Sequence, residues 1–272
     1  CGIVGAVAER NITAVLVEGL KRLEYRGYDS AGVALLNDQG ELQRSRRVGK
    51  VAELQSALNE QPLAGRLGIA HTRWATHGAP SERNAHPHFS GQELAVVHNG
   101  IIENHEELRK SLTAEGYVFQ SDTDTEVIAH LAHRHLVQGL PLLAAVQATV
   151  KLLEGAFAIA VICNTAPLTL VASKKGAPLL VGHGDGEFFL ASDASALVAH
   201  TKLITYLEER DVVLLETSGV SFFDGEGMQV EREIIESQLS ADAVELGPYA
   251  HYMQKEIYEQ PGAIAATLEM VS

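Results

Sequence analysis

The chain has 272 residues, of which 46% are hydrophobic, and its formal net charge is -14 at pH 7. This length suffices for one large domain, or for a domain and the beginning of a second one. An acidic surface repels phosphate backbones and anionic lipid, so we expect no nucleic acid or membrane partner and a small ligand instead. The chain holds 2 cysteines and no apolar stretch of membrane-spanning length, which favours a reducing, cytoplasmic location.

Apolar periodicity predicts the elements in chain order. Strands are expected at 1–7, 30–37, 41–48, 66–73 and 94–98, and helices at 12–23, 51–60, 103–115 and 124–154. Strands then dominate 156–191 and 211–234, with a short helix at 194–201 between them. Grouped strands with short turns indicate antiparallel sheets covered by helices, which is a layered α+β fold.

The composition changes beyond residue 235. A polar run at 236–242 and the breaker Gly247-Pro248 read as a linker, and a helical pattern at 250–260 is expected to stop at Pro261. We therefore expect one domain at 1–240, followed over 241–272 by a linker and the beginning of another domain that is otherwise absent.

Cys1 carries a thiol and, if nothing precedes it, a free α-amine on the same residue. The pKa values of such groups lie at about 8.5 and about 8, so proton transfer between them is easy near neutral pH. The pair could attack an amide carbon. The alternative is that Cys1 only begins a buried strand.

Three segments carry a resemblance to a known family: CGIVG at 1–5, HTRWATHG at 71–78 and VHNG at 97–100. Together they resemble the class II glutamine amidotransferases, which are N-terminal nucleophile hydrolases. The resemblance implies a four-layer αββα sandwich with two packed antiparallel sheets between helical layers. It also implies that L-glutamine is hydrolysed to glutamate and ammonia without a cofactor.

A further run, RLEYRGYDSAG at 22–32, is similar to the branch of the family that makes glucosamine 6-phosphate from fructose 6-phosphate. Residues 251–257 resemble the lead-in to that branch's sugar isomerase half. The resemblance implies that fructose 6-phosphate is a partner only through the missing half. It also implies a homodimeric full-length protein and a monomeric fragment.

The resemblance assigns Cys1 as the nucleophile, and it assigns the Asn99 side chain and the Gly100 N–H as donors to the oxyanion. Such donors stabilise the charge of a tetrahedral intermediate. The dipeptide Asn99-Gly100 is also a common hairpin signal, so a type I′ turn remains an alternative interpretation.

The substrate-binding residues implied by the family are Arg73, Thr76, His77 and Asp124. Arg73 offers a planar fork for the α-carboxylate, and Asp124 offers a negative charge for the α-ammonium. The alternatives are a surface ion pair for Arg73 and, for Asp124, a place in a capping box formed by Thr123 and Glu126.

The resemblance also implies that Trp74 gates a channel for ammonia, whereas the residue alone would be expected to pack in the core. Arg26 and Asp29 could form a surface pair, and their role is left open. Five histidines lie between His71 and His98, but their spacing fits no metal motif, and structural hydrogen bonding is the preferred interpretation.

Two other features receive structural interpretations. The segment 182–186 is read as a hairpin turn rather than a phosphate-binding loop, and Cys163 is read as part of a buried strand. Two other functions are kept as alternatives: the amide-donor domain of another class II amidotransferase, and a glutamine-sensing or docking module without catalysis.

Overall fold

The structure is a computed structural model that describes residues 1–239, 249 and 252–271. Two sheets form its centre, and all neighbouring strands within them are antiparallel. The eight-stranded sheet contains, in spatial order, β15 (Ile235–Glu236), β11 (Leu203–Tyr206), β9 (Leu180–His183), β10 (Phe188–Ala191), β1 (Gly2–Val7), β4 (Leu67–Arg73), β2 (Ser30–Leu36) and β3 (Leu42–Val48).

The second sheet has seven strands and faces the first. Its spatial order is β14 (Gln229–Val230), β13 (Gly219–Phe223), β12 (Val212–Glu216), β8 (Thr169–Lys175), β7 (Gly155–Cys163), β6 (Leu94–Ile102) and β5 (His88–Ser90). The helices are α1 (Thr13–Leu23), α2 (Val51–Glu60), α3 (His105–Ala114), α4 (Glu126–Val137), α5 (Leu142–Val150) and α6 (Tyr252–Val271).

Side chains alternate between the two faces of each strand, and this alternation builds the layers. On β1, Ile3 and Val7 enter the core between the sheets, whereas Val4 and Ala6 enter the core beneath α1 and α2. A third core joins the seven-stranded sheet to α3, α4 and α5. The layered α+β fold, with two antiparallel sheets between helical layers, is thus confirmed.

Several elements differ from the sequence prediction. The single helix expected over 124–154 is wrong, because two helices form there. Helix α4 ends at Val137, Gly139 adopts a positive φ of 92°, and α5 begins directly after Pro141. The helix expected over 194–201 is wrong in extent, since only a 3-10 turn at Ala194–Ala196 forms. The turn expected at 182–186 is confirmed by the pairing of His183 with Phe188.

The chain divides into two compact units, Cys1–Gln238 and Leu239–Ser272. Helix α6 passes through Pro261, so the expected stop there is wrong. A proline removes one hydrogen bond of a helix without obliging the helix to end. The breaker Gly247-Pro248 and residues 240–242 of the expected linker lie outside the described residues. The assignment of 241–272 to the beginning of another domain stays a prediction.

None of the helices in the described part of the chain combines the length and the apolar character that a bilayer-spanning segment requires.

Candidate active site

Cys1 is fixed where β1 meets the end of β4. Gly2 pairs with Thr72 across these two strands, which brings Cys1 beside the residues that follow Arg73. The Trp74 N–H points to the Cys1 Sγ at 3.2 Å, and the Trp74 carbonyl oxygen lies 3.5 Å from the same sulfur. The thiol therefore contacts both backbone polar groups of Trp74, just beyond the end of the strand.

The α-amine of Cys1 donates a hydrogen bond to the Arg26 carbonyl oxygen at 2.6 Å. Burial and, to a smaller extent, the charge of Arg26 lower the pKa of this amine from 8.0 to about 6, while Asp29 opposes the change. At pH 7 most of the amine is consequently unprotonated. It can accept a proton, which is what a general base beside a nucleophile must do.

One narrow cleft gathers the residues predicted to form the site. Its lining consists of Cys1, Arg73, Trp74, Thr76, His77, His86, His98, Gly100, Thr123, Asp124 and Thr125. Asn99 adjoins the cleft, and its Nδ2 lies 3.5 Å from the Cys1 carbonyl oxygen. The structure thus brings together the residues that the resemblance assigned to the site, although they come from distant parts of the chain.

Asn99 and Gly100 lie within β6, so the alternative of a type I′ turn is wrong. They pair with Ala158 and Phe157 of β7. Gly100 has a φ of 126°, and a Cβ atom at this position would lie 2.0 Å from the Ala156 carbonyl oxygen. Only glycine fits both the backbone conformation and the space.

Arg73 is 3% exposed, so the alternative of a surface ion pair is wrong. Its Nη2 donates to the carbonyl oxygens of His77 and Gly78, the latter at 3.0 Å. Its Nη1 has no hydrogen-bond partner among the residues that the structure describes, and it lies 3.9 Å from Asp29 Oδ1. One side of the guanidinium group holds the loop, and the other side retains donors for a ligand.

Asp124 is also buried, and its Oδ2 accepts the Ile102 N–H at 2.8 Å. The capping box expected at this point is wrong, because α4 begins at Glu126 and Thr125 occupies the N-cap position. The Glu126 carboxylate instead accepts the N–H groups of Gln120 and Ser121 at 2.8 and 2.7 Å. The loop before α4 is therefore folded back onto the helix.

Trp74 is 55% exposed, so the alternative of core packing is wrong. Its indole lies edge-on to the ring of Tyr28, with the ring centroids 5.7 Å apart. The role of Trp74 as a gate stays a prediction.

The surface pair suggested for Arg26 and Asp29 is wrong. Arg26 pairs with Asp193 at 2.9 Å, while Asp29 accepts the Ala75 N–H and, at 2.7 Å, the Ser30 hydroxyl. Arg26 thus holds the amine of Cys1 through its carbonyl group. Asp29 holds the segment that follows Trp74.

The sequence interpretation gave no role in the site to His71, His86, His98 or Thr125. His86 Nε2 and His98 Nδ1 lie 2.8 and 2.9 Å from the Thr125 hydroxyl oxygen. Burial lowers the pKa of each of the three histidines. The sequence did offer a signal for His71, because it lies two residues before Arg73 on β4 and such side chains point to the same face of a strand.

In the described ranges, no group of three or more His, Cys, Asp or Glu side chains is arranged to hold a metal ion. His71, His86 and His98 lie within hydrogen-bond distance of hydroxyl or carbonyl oxygens. Cys163 is fully buried on β7, as its apolar surroundings indicated.

Comparison with known proteins is consistent with this geometry. A family model described as "Glutamine amidotransferase domain" matches residues 71–199. The glutamine–fructose-6-phosphate aminotransferase (isomerizing) of Pseudomonas putida is 59% identical over 99% of this chain. The protein of the same name from Bordetella pertussis is 58% identical, also over 99% of this chain. The chain spans 44% of the length of each of these two relatives.

Solved structures share the fold. The glutamine phosphoribosylpyrophosphate amidotransferase of B. subtilis superposes with a TM-score of 0.71 at 25% identity, covering 83% of this chain and 49% of that one. A glutamine aminotransferase class-II domain protein from Silicibacter pomeroyi has a TM-score of 0.54 at 17% identity, covering 82% of this chain and 99% of that one. The second likeness supports the fold alone. Taken together, these findings show that the chain contains a glutamine amidotransferase domain and that 99% of its length is similar to part of the glutamine–fructose-6-phosphate aminotransferases.

Proposed function

We propose that Cys1 hydrolyses L-glutamine to L-glutamate and ammonia in the cleft between β1, β4 and β6. The observation that carries this proposal is the pairing of the Cys1 thiol with an α-amine whose pKa is lowered to about 6. The identity of the relatives supports the substrate.

In the first step, the amine accepts the thiol proton as the sulfur attacks the side-chain amide carbon. The C–S bond forms, and the negative charge that develops on the oxygen receives hydrogen bonds from the Asn99 side chain and the Gly100 N–H. The protonated amine then gives its proton to the leaving nitrogen, so that ammonia departs and a thioester remains. Water attacks the thioester with the amine again as base, which releases glutamate and restores the thiol.

Arg73 and Asp124 line the same cleft and carry opposite charges, which match the α-carboxylate and α-ammonium of a free amino acid. Arg73 would bind the α-carboxylate through the side of its guanidinium group that holds no carbonyl oxygen, and Asp124 would bind the α-ammonium. Thr76 and His77 line the same cleft and would add contacts to the substrate. Two fixed and opposite charges would select an amino acid over a simple amide.

Transfer of the released ammonia to a sugar would require a protein longer than the present chain. In such a protein we propose that ammonia passes to fructose 6-phosphate bound by a sugar isomerase domain, and that Trp74 gates its path. The names of the relatives and the exposed position of Trp74 support this. We also propose a reducing, cytoplasmic location, which suits the free thiols of Cys1 and Cys163.

The full-length protein would be a homodimer, while the present chain would be a monomer. Sedimentation of the purified chain should give a single species of 29.2 kDa, and a tight dimer would contradict this.

The test of the proposed function is to measure glutamate released from L-glutamine by this chain and by Cys1→Ala. We expect turnover by the first and none by the second, with glutamine binding retained in both by calorimetry. Binding without turnover in the unaltered chain would favour a glutamine sensor. Assays of acceptor sugars with a full-length protein would distinguish the other class II amidotransferases.

A further inference from the structure

We propose that His71 is a positioning residue: it donates a hydrogen bond that holds the Asn99 amide with its N–H group directed at the reacting oxygen. This inference rests on the proposed function, because an oxyanion donor matters only where an amide is attacked.

His71 connects the two sheets beside the nucleophile. It lies on β4 opposite Ile3 of β1, and its ring reaches across to β6 of the other sheet. Its Nε2 is 3.0 Å from the His98 carbonyl oxygen and 2.9 Å from Asn99 Oδ1. The side chain is 1% exposed, so no bulk solvent competes for these contacts.

The His98 carbonyl oxygen determines where the proton of the ring lies. A backbone carbonyl oxygen can only accept, so the nitrogen that faces it must carry hydrogen. Burial, followed by the nearby α-amine of Cys1, holds the pKa of His71 well below its usual 6.5, so the ring is neutral. A neutral ring carries a single N–H, and the contact with His98 places it on Nε2. In agreement, Nδ1 has no hydrogen-bond partner among the described residues.

The orientation of Asn99 follows from this tautomer. An N–H at His71 Nε2 attracts the amide oxygen of Asn99 and repels its NH2 group. The amide must therefore turn Oδ1 toward His71 and Nδ2 toward Cys1, where Nδ2 lies 3.5 Å from the Cys1 carbonyl oxygen.

The two ends of the Asn99 amide have similar shapes, so without His71 only the long contact of Nδ2 with the Cys1 carbonyl oxygen would favour this orientation. The flipped amide would present a carbonyl oxygen to the negative charge that forms during attack. The oxyanion donor would be lost even though Asn99 itself remained.

The experiment compares His71→Gln with His71→Leu. The glutamine NH2 group can occupy the place of Nε2 and donate to both oxygens, whereas leucine offers no donor. Because loss of one oxyanion donor costs about 100- to 1000-fold in kcat, we expect a loss of about 100-fold for His71→Leu, with KM changed less than about 3-fold. We expect His71→Gln to retain kcat within about 10-fold. His183→Leu serves as the control, since His183 lies on β9 and bonds to the Thr205 hydroxyl oxygen.

A second readout isolates the oxyanion. The aldehyde analogue of glutamine forms a tetrahedral adduct with the Cys1 thiol, whereas glutamate binds without one. His71→Leu should lower the affinity for the aldehyde by the same factor as it lowers kcat/KM. Its affinity for glutamate should stay nearly unchanged. The assignment would be overturned if His71→Leu lost affinity for the aldehyde and for glutamate equally, or if it kept the kcat of the unaltered chain. Failure of His71→Gln to rescue activity while its melting temperature is unchanged would also overturn it.

The tautomer can be measured without turnover. Nitrogen-15 NMR of the unaltered chain should show a neutral His71 ring with hydrogen on Nε2. Hydrogen on Nδ1 would contradict the inference about His71 even if glutamine is hydrolysed. Conversely, an Nε2–H ring in a chain that releases no glutamate would contradict the proposed function and with it the catalytic value of this hydrogen bond.

Discussion

The α-amine of Cys1 governs the pH dependence expected of the site. Burial and the charge of Arg26 lower its pKa from 8.0 to about 6, because both disfavour the charged ammonium. The base form therefore predominates above pH 6 and disappears below it. We predict that kcat/KM for glutamine falls on the acid side with an apparent pKa near 6. A profile recorded from pH 5 to 9 tests this, and an acid limb near 8 would show that the amine is not shifted or not the base.

Arg73 has two tasks that a lysine cannot perform together. Its guanidinium group holds the loop carbonyl groups of His77 and Gly78 and keeps Nη1 for the ligand. A lysine has one charged nitrogen and no planar fork. Hydrogen bonds to charged groups contribute about 1.5–3 kcal/mol, so we predict that Arg73→Lys raises KM about 10- to 100-fold.

Steady-state kinetics on Arg73→Lys and on Arg66→Lys check this prediction. Arg66 is a half-exposed arginine that pairs with Glu9 and Asp38, and its replacement should leave KM unchanged. An unchanged KM in Arg73→Lys would remove Arg73 from the binding site.

At the scale of elements, the loop between α3 and α4 is held by the first residue of α4. The Glu126 carboxylate accepts the N–H groups of Gln120 and Ser121 and the Ser121 hydroxyl, the last at 2.6 Å. Asp124 lies inside this folded segment, two residues before the helix. The geometry of the candidate ammonium site consequently depends on a carboxylate that does not touch the cleft.

We predict that Glu126→Gln lowers the free energy of unfolding by about 1–3 kcal/mol, because the amide NH2 leaves a buried donor facing other donors. Urea unfolding measures the change. Glu106→Gln on the exposed side of α3 is the matched control and should stay within about 0.5 kcal/mol of the unaltered chain. Equal stabilities of both variants would show that the loop does not need this carboxylate.

The sequence predicted regular elements well where one local pattern decides them, as at α2, which spans the expected 51–60. It failed where partners distant in sequence decide. Asn99-Gly100 has the composition of a turn, yet β7 pairs with it and extends the strand. Thr123 and Glu126 have the spacing of a capping box, yet the Glu126 carboxylate finds Gln120 and Ser121 instead.

Contacts between residues distant in sequence also limited the prediction of the site. Motifs and resemblance identified the residues that line the cleft. The contact between His71 and Asn99 crosses from one sheet to the other, and no local pattern reveals it.

At the scale of the whole molecule, the site exists because two sheets pack face to face. The eight-stranded sheet supplies Cys1 and Arg73, and the seven-stranded sheet supplies Asn99 and Gly100. The apolar core between the sheets sets the spacing of these groups, with Ile3, Ile69 and Val97 fully buried in it. Nucleophile and oxyanion donors therefore come into register only in the folded molecule.

The central claim is that Cys1 acts with its own α-amine. The most direct measurement compares glutamate release by a chain whose Cys1 amine is free with release by the same chain carrying one alanine ahead of Cys1. We predict that the extension abolishes turnover, while glutamine binding and the melting temperature remain close to those of the free chain. Equal turnover by the two chains would contradict the account, because the amine would then not be the base.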